Sequence, residues 1–370
     1  MTLDAVVNQP PAPSLPAPPS SIWSRARSVW RLRAELEERP CPLCGEAERW
    51  PVVRYERFFL PIEVAMCRRC GFVYAARMFD AAGAERFYQR TYADLMYDRR
   101  PDVTQEMIDS SADHGRFHLD RINEVVPSFS AVLDVGCGFG HFLAECRGQG
   151  AEVYGSEPGD DRLLYAQQTL GLGAAATAEP FETGRPPPFT PDLVTMFHTL
   201  EHLLDPVQVL KRAHELMAPD GWLVVEVPDL MGPWASHGVS FIYIGHCTYF
   251  TVETLSLTLA KSGFVVRSVT RAAEPGIYPA NLRVFAQKGE AGAIAPPPDI
   301  DAARRHVKAH LHAWSTENGY PAWALKLVRA VLGISRPSLR SAPTLTLPHV
   351  RRGRGLDASY PLSRPKGGGG

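Results

Sequence analysis

The stretch Ala131-Val-Leu-Asp134-Val-Gly136-Cys-Gly138-Phe-Gly140 limits this chain more than any other. An apolar run with one acid near its end reads as a short buried strand. Three glycines at alternate positions then allow a sharp backbone turn with no Cβ to obstruct a ligand. His141 to Gln149 follows, with Phe142, Leu143 and Cys146 on one face, as in an amphipathic helix. The free N–H groups at that helix start suit a polar ligand. The dinucleotide fingerprint G-x-G-x-x-G needs its third glycine at position 141, which here is His141. The spacing is instead D-x-G-x-G-x-G. Ala151 to Ser156 reads as the next strand, and Glu157 ends it. An acid there can accept hydrogen bonds from both hydroxyls of an adenosine ribose.

Downstream, strand and helix patterns alternate. A helix is expected over Arg162 to Leu170, a short strand near Ala174 to Thr177, and a strand over Asp192 to Phe197. The segment His198-Thr-Leu-Glu201-His202-Leu-Leu-Asp205-Pro206 is its polar exit. Then come a helix (Val207 to Met217), a strand (Gly221 to Val227), a helix (Thr251 to Ser262) and closing strands over Gly263 to Val269 and Leu282 to Ala286. Such alternation implies a mostly parallel sheet covered by helices on both faces. Ligands of such sheets bind at the carboxyl ends of the strands. Those ends carry Asp134, Glu157, His198 to His202 and Pro228-Asp229.

Ahead of this region stand two matching knuckles, Cys41-Pro-Leu-Cys44-Gly and Cys67-Arg-Arg-Cys70-Gly, with 22 residues between them. Two C-x2-C turns supply the four soft ligands of a tetrahedral zinc. A closed four-cysteine site leaves no position for substrate, so its expected role is structural or in recognition, not catalysis. Cys137, Cys146 and Cys247 are left as free thiols. Ile22 to Glu38 has helical spacing and a basic first half. Ser110 to Val126 reads as a helix with His114 and His118 one turn apart, a packing pair with no visible third metal ligand. The aromatic-rich segment Phe87 to Tyr92 is either a lid over the ligand pocket or packing between the two modules.

The expected organisation is a disordered tail (1–21), a helix and zinc module (22–80), linker or lid helices (81–126), an α/β domain (127–290), C-terminal helices (291–335) and a second disordered tail (336–370). A formal net charge of −1 over 370 residues gives no global pull toward nucleic acid. No apolar run reaches transmembrane length and no signal-peptide core is present, so a cytoplasmic location is expected.

The D-x-G-x-G-x-G loop with Glu157 resembles the cofactor loop of class I S-adenosylmethionine-dependent methyltransferases. That resemblance implies a Rossmann-like sheet, S-adenosylmethionine as cofactor, and cofactor contacts from Asp134, Gly136, Gly138, Gly140, Glu157, Glu179, Phe181 and Phe197. With the cysteine knuckles, E-H-x-x-D-P after the fourth strand and Tyr243-x-x-His246 before Phe250-Thr251, about residues 41 to 290 are similar to bacterial sugar C-methyltransferases. This implies a small-molecule acceptor such as a nucleotide-linked sugar. It implies His246 as general base, Tyr243 beside it, and His202 holding the acceptor's keto or enolate oxygen. Two departures stand out: Gly245 replaces an acid that often precedes the base, and no full third domain follows. O-methyltransferases of broader range share E-H-x-x-D-P. A ribosomal-RNA methyltransferase with a zinc ribbon, and a non-catalytic protein of the same fold, are the competing readings.

Overall fold

The computed structural model describes residues 31–53, 62–87, 103–232, 242–272, 281–292 and 299–317. The expected tails, residues 22–30 of the first helix, Tyr88 to Tyr92 of the aromatic segment and residues 318–335 of the expected C-terminal helices lie outside them.

The N-terminal module is built from short strands: β1 (Glu37–Glu38), β2 (Arg49–Val53), β3 (Val64–Cys67), β4 (Val73–Ala75) and β5 (Arg77–Met78). The helix expected through Glu38 stops early. Residues 31–34 are helical, and Glu37–Glu38 instead pairs antiparallel with β5. The cause is local. Leu32 and Leu36 are already buried, and the Arg39 N–H donates to Ala76 O at 3.0 Å, which draws the chain against β5 before the first knuckle. After α1 (Ala81–Arg86), α2 (Gln105–Val125) is capped by Thr104, whose side chain accepts from Met107 N–H.

The α/β part follows as β6 (Ala131–Val135), α3 (His141–Gly148), β7 (Glu152–Ser156), α4 (Asp160–Leu164), β8 (Ala176–Thr177), β9 (Leu193–Phe197), α5 (Pro206–Leu216) and β10 (Trp222–Pro228). Next come β11 (Thr248–Tyr249), α6 (Val252–Lys261), β12 (Phe264–Ala272), β13 (Asn281–Lys288) and α7 (Ile300–Glu317). The helix expected over Arg162 to Leu170 is α4 continued by a wider π-turn over Tyr165–Thr169.

Seven strands form one sheet in the order β12-β13-β10-β9-β6-β7-β8. The five from β8 to β10 are parallel, and β13 runs antiparallel to both its neighbours. This is a Rossmann-like, doubly wound arrangement. The chain runs outward from β6 to β8 and crosses back to β9. The β6/β9 boundary is therefore the switch point where a ligand crevice opens.

Alternation along the strands sorts the side chains. Leu133, Val135, Val194, Met196, Leu223, Val225 and Val227 pack on one face with α5, α6 and the cysteine module. Val132, Leu193, Val224 and Phe285 pack on the other with α2 and α3. Gly115 lets these two helices touch: a Cβ there would sit 2.8 Å from the Phe142 backbone nitrogen.

A second sheet, β11-β4-β3-β2, joins the cysteine module to the α/β part, because β11 pairs with β4. Arg39, from the module, ties the same junction by donating to Ala75 O, Leu204 O and Cys247 O.

Candidate functional site

The glycine turn at the end of β6 is held from below. Gly136, Gly138 and Gly140 all have positive φ, at 80°, 55° and 80°. Gly136 and Cys137 N–H both donate to Ser156 O, closing the loop onto β7. A Cβ on Gly136 would lie 2.3 Å from Thr199 Oγ1, and one on Gly140 2.6 Å from Leu172 Cδ1. Glycine is required at both by φ and by space. At Gly138 a Cβ would meet nothing within 4 Å, so this residue faces open space above the loop. Glu157 is 7% exposed; one carboxylate oxygen accepts from Gly138 N–H at 3.0 Å and the other from Gly159 N–H at 2.7 Å. A carboxylate has about four acceptor positions, which leaves two for hydroxyl groups. Burial pushes its pKa up, against the pull of Arg162 and the two amides. Gly140 caps α3 without a side-chain bond, so the helix N-terminus keeps its amides for a ligand. These features fit an adenosine-bearing cofactor.

The remaining residues expected at the cofactor fall in three settings. Asp134 is buried beneath the loop, where Thr195 Oγ1 donates to it at 2.7 Å. Glu179 is tied to Arg185, whose Nε donates at 2.9 Å and backbone N–H at 2.7 Å. Phe181 is buried under the Arg212 guanidinium, which lies 5.7 Å from the ring centre. Phe197, at the carboxyl end of β9, is stacked face-to-face on His118 at 3.8 Å and meets the edge of Phe142. The expected histidine pair on α2 is thus a packing feature at His118.

The exit of β9 carries the second half of the site. His198 has a left-handed backbone, φ 49°, and its N–H donates to Glu226 O. A single turn over Leu200–His202 follows, and Asp205 caps α5 by accepting from Gln208 N–H. His202 Nδ1 donates to Gly245 O at 2.8 Å. The ring of His246 lies 4.9 Å from that of His202 and 4.4 Å from that of Tyr243. His246 is 8% exposed. The loop is pinned by Cys247 N–H donating to Glu201 O and by Cys247 Sγ donating to His202 O. His202, Tyr243 and His246 therefore share one place, although about 40 residues separate them in the chain.

Sequence reasoning missed a polar group beneath this place. Glu226 is fully buried in β10. Arg283 Nε donates to it at 2.5 Å and Asn281 Nδ2 at 2.9 Å. Asn281 also meets His198 Nε2 at 3.0 Å, and His118 Nδ1 lies 3.9 Å from Glu226. One acid inside the otherwise apolar run Trp222 to Val227 was the available signal. Glu201, part of the E-H-x-x-D-P segment, is 2% exposed; its Oε1 lies 3.5 Å from His198 Nδ1 and 3.9 Å from His202 Nε2.

The four knuckle cysteines converge separately. Their sulfurs all lie within 4.8 Å of one another, with Cys41–Cys70 at 3.7 Å and Cys44–Cys67 at 3.5 Å. A tetrahedral zinc with bonds of about 2.3 Å sets its sulfurs about 3.8 Å apart, so the set fits that ion. Both knuckles turn alike: Gly45 N–H donates to Cys41 O and Gly71 N–H to Cys67 O, each glycine at φ 77°. Hydrogen bonds from Cys41 and Cys70 push the Cys67 thiol down, and those with Cys67 push Cys41 up. Cys137, Cys146 and Cys247 are buried free thiols.

Comparison with known proteins gives a family match and several similarities. Residues 102–269 match a family described as a methyltransferase domain. Over 97 residues the chain is 40% identical to a ubiquinone biosynthesis O-methyltransferase of Pseudomonas paraeruginosa, covering 24% of this chain and 40% of that protein. Over 113 residues it is 33% identical to the enzyme of that name from Nitrosomonas europaea, covering 28% and 47%. The chain thus spans less than half the length of these curated relatives. Among solved structures it is similar to the 1,6-didemethyltoxoflavin-N1-methyltransferase of Burkholderia thailandensis, at TM-score 0.44, 19% identity, and 59% and 96% coverage. It is also similar to the magnesium protoporphyrin IX methyltransferase of Synechocystis, at TM-score 0.43, 17% identity, and 57% and 100% coverage. The glycine loop, Glu157 and the histidine turn all lie within the matched residues 102–269. No described helix is long and apolar enough to cross a membrane.

Proposed function

We propose that this chain, whose residues 102–269 match a methyltransferase-domain family, transfers a methyl group from S-adenosylmethionine to a small molecule bearing an acidic hydroxyl or an enolisable carbon. A nucleotide-linked keto-sugar is the acceptor class we favour. The observation that carries this reading is the contact between Thr199 and Gly136: it sets the histidine turn after β9 directly against the glycine loop after β6. The names of the ubiquinone-pathway relatives support a small acceptor.

The cofactor, when bound, supplies a methyl group on a sulfonium. Glu157 and the loop amides hold its adenosine part, with Gly138 leaving the approach open. The chain's further task is to orient the acceptor and move one proton. His246 takes that proton. Its ring is held between those of His202 and Tyr243, on a loop fixed by Cys247 and Arg39. His202, its Nδ1–H committed to Gly245 O, turns Nε2 toward the acceptor oxygen and, when protonated, steadies the developing charge. Tyr243 forms a wall of this place, and Glu179, Phe181 and Phe197 border the adenosine side. Zinc held by Cys41, Cys44, Cys67 and Cys70 is structural. The test is calorimetric titration with S-adenosylmethionine, followed by methyl transfer to a panel of nucleotide-linked keto-sugars and phenols. Saturable binding and turnover on one acceptor class are expected. A chain that binds no S-adenosylmethionine would overturn the proposal.

A further inference from the structure

Three buried polar side chains meet His198 at the exit of β9: Glu201 from its own turn, Glu226 from β10 and Asn281 from β13. The protons among them follow from one fixed point. Arg283 Nε donates to Glu226 Oε2 in a charge-assisted bond that keeps this acid ionised, so both its oxygens only accept. The Asn281 side chain reaches Glu226 Oε1 at 2.9 Å and must therefore turn its amide nitrogen, not its oxygen, toward it. That same nitrogen lies 3.0 Å from His198 Nε2. An amide nitrogen carries two N–H donors and accepts nothing, so His198 Nε2 is the acceptor. A histidine that accepts at Nε2 is neutral and holds its proton on Nδ1. His198 Nδ1 faces Glu201 Oε1 at 3.5 Å.

We propose that Asn281 locks His198 as the neutral Nδ1–H tautomer, and that His198 is a positioning residue that acts on the acceptor side through Glu201. His198 Nε2 is 3.8 Å from Glu226 Oε1, with the amide nitrogen of Asn281 bonded to both. Without that amide the two would form a histidine–carboxylate pair, which favours the imidazolium. The other charged or titratable groups here, Arg283 and His118, meet Glu226 at its second oxygen, Oε2. Glu201 Oε1 is shared, at 3.5 Å from His198 Nδ1 and 3.9 Å from His202 Nε2. With His198 fixed as a neutral donor, the charge of Glu201 is left to act on His202, and no proton passes through His198 to the interior acid. The backbone is built for this. His198 has φ 49°, and its N–H donates to Glu226 O at 2.8 Å, so chain and ring are both tied to β10. A strained residue is kept where its surroundings over-determine it. The positioning role rests on the proposed methyl transfer; the tautomer does not.

The test uses the full chain, cofactor-free, with its histidines labelled with heavy nitrogen and followed by NMR from about pH 5.5 to pH 9, a window that spans the ordinary histidine pKa. The His198→Gln variant identifies the signal. His198 should show a protonated Nδ1, a bare Nε2 and no titration. Asn281→Leu removes the donor at similar size, and its His198 should titrate inside the window. A wild-type His198 that titrates there or carries its proton on Nε2 would overturn the lock, as would a folded Asn281→Leu protein whose His198 behaves as in the wild type. Circular dichroism reports folding; should the leucine variant fail, Asn281→Asp replaces it, and its His198 should be drawn to the imidazolium. In turnover, Asn281→Leu should gain an acid limb at the pKa that NMR gives for its His198, with KM for S-adenosylmethionine changed less than about twofold. A pH profile identical to the wild type's would overturn the positioning role. A chain with no methyl transfer would remove the reading on which that role rests, and NMR would still decide the tautomer.

Discussion

Asp134 gives a stability test whose sign follows from the fold. Its carboxyl is 2% exposed, beneath the glycine loop. Burial raises its pKa from an ordinary 3.8 to about 7; the Thr195 hydroxyl opposes the shift, and the charge of Glu157 adds to it. In the unfolded chain the group ionises near its ordinary value. Between about pH 4 and pH 7 the folded protein therefore holds a proton that the unfolded chain has released, and stability falls as pH rises through that window. Below it both states are protonated; above it both are ionised and the whole cost is present. At 1.36 kcal/mol per pH unit the ceiling is roughly 4 kcal/mol, of which about 2–3 kcal/mol falls between pH 5 and pH 8. Asp134→Asn keeps the shape and an acceptor for Thr195 but cannot ionise. Urea unfolding of the cofactor-free protein, followed by far-ultraviolet circular dichroism, should show the wild type losing that much more stability than the variant over the interval. Equal pH slopes for the two proteins would refute the reasoning, because the slope difference isolates this one carboxyl.

The other predictions concern the proposed roles. Glu157→Ala should weaken S-adenosylmethionine binding by roughly 1.5–3 kcal/mol, the usual worth of hydrogen bonds to a charged group, and calorimetry reads it; an unchanged affinity would remove Glu157 from the cofactor site. The chain purified without chelators should carry one tightly held zinc by elemental analysis, and Cys67→Ser should lose it and unfold the module, since metal binding and folding are coupled. His246→Ala should lower turnover by about 10²–10⁴ with cofactor affinity nearly intact; an active His246→Asn variant with an unaltered acid limb in its pH profile would show that the residue only pins its loop.

What the sequence made legible is what local rules decide. The glycines at 136, 138 and 140 are needed for positive φ, those at 136 and 140 also for close approach, and a run of five residues shows them. The two knuckles are equally local, and each repeats one turn with one glycine. The polar group around Glu226 was not legible, because its partners Asn281 and Arg283 sit 55 and 57 positions away and meet it only through the antiparallel β10–β13 register. The false helical reading of Glu37 and Glu38 has the same origin: a spacing of apolar residues that ends at Leu36 says nothing of an edge strand at β5 waiting to be paired. Strand β11, two residues long, has no periodicity to read at all.

That two-residue strand bears most on why a metal-type module is attached to this domain. Four cysteines that close around one ion leave no position for a substrate. The module's reach toward the chemistry is instead through its backbone. Cys67 ends β3, β3 pairs with β4, and β4 pairs with β11, whose first residue lies two positions after His246. Phe72, directly after the second knuckle's glycine, meets Phe250 edge-on at 5.5 Å, and Lys261 of α6 donates to Leu43 O inside the first knuckle. Arg39, half-buried and held below its usual pKa by desolvation, joins Ala75, Leu204 and Cys247 through three carbonyls. The loop carrying His246 is thus one wall of the module's own sheet. Loss of the module's fold would release that wall while leaving Glu157 and the glycine loop on the central sheet, so damage at the knuckles should fall on acceptor chemistry before it falls on cofactor binding.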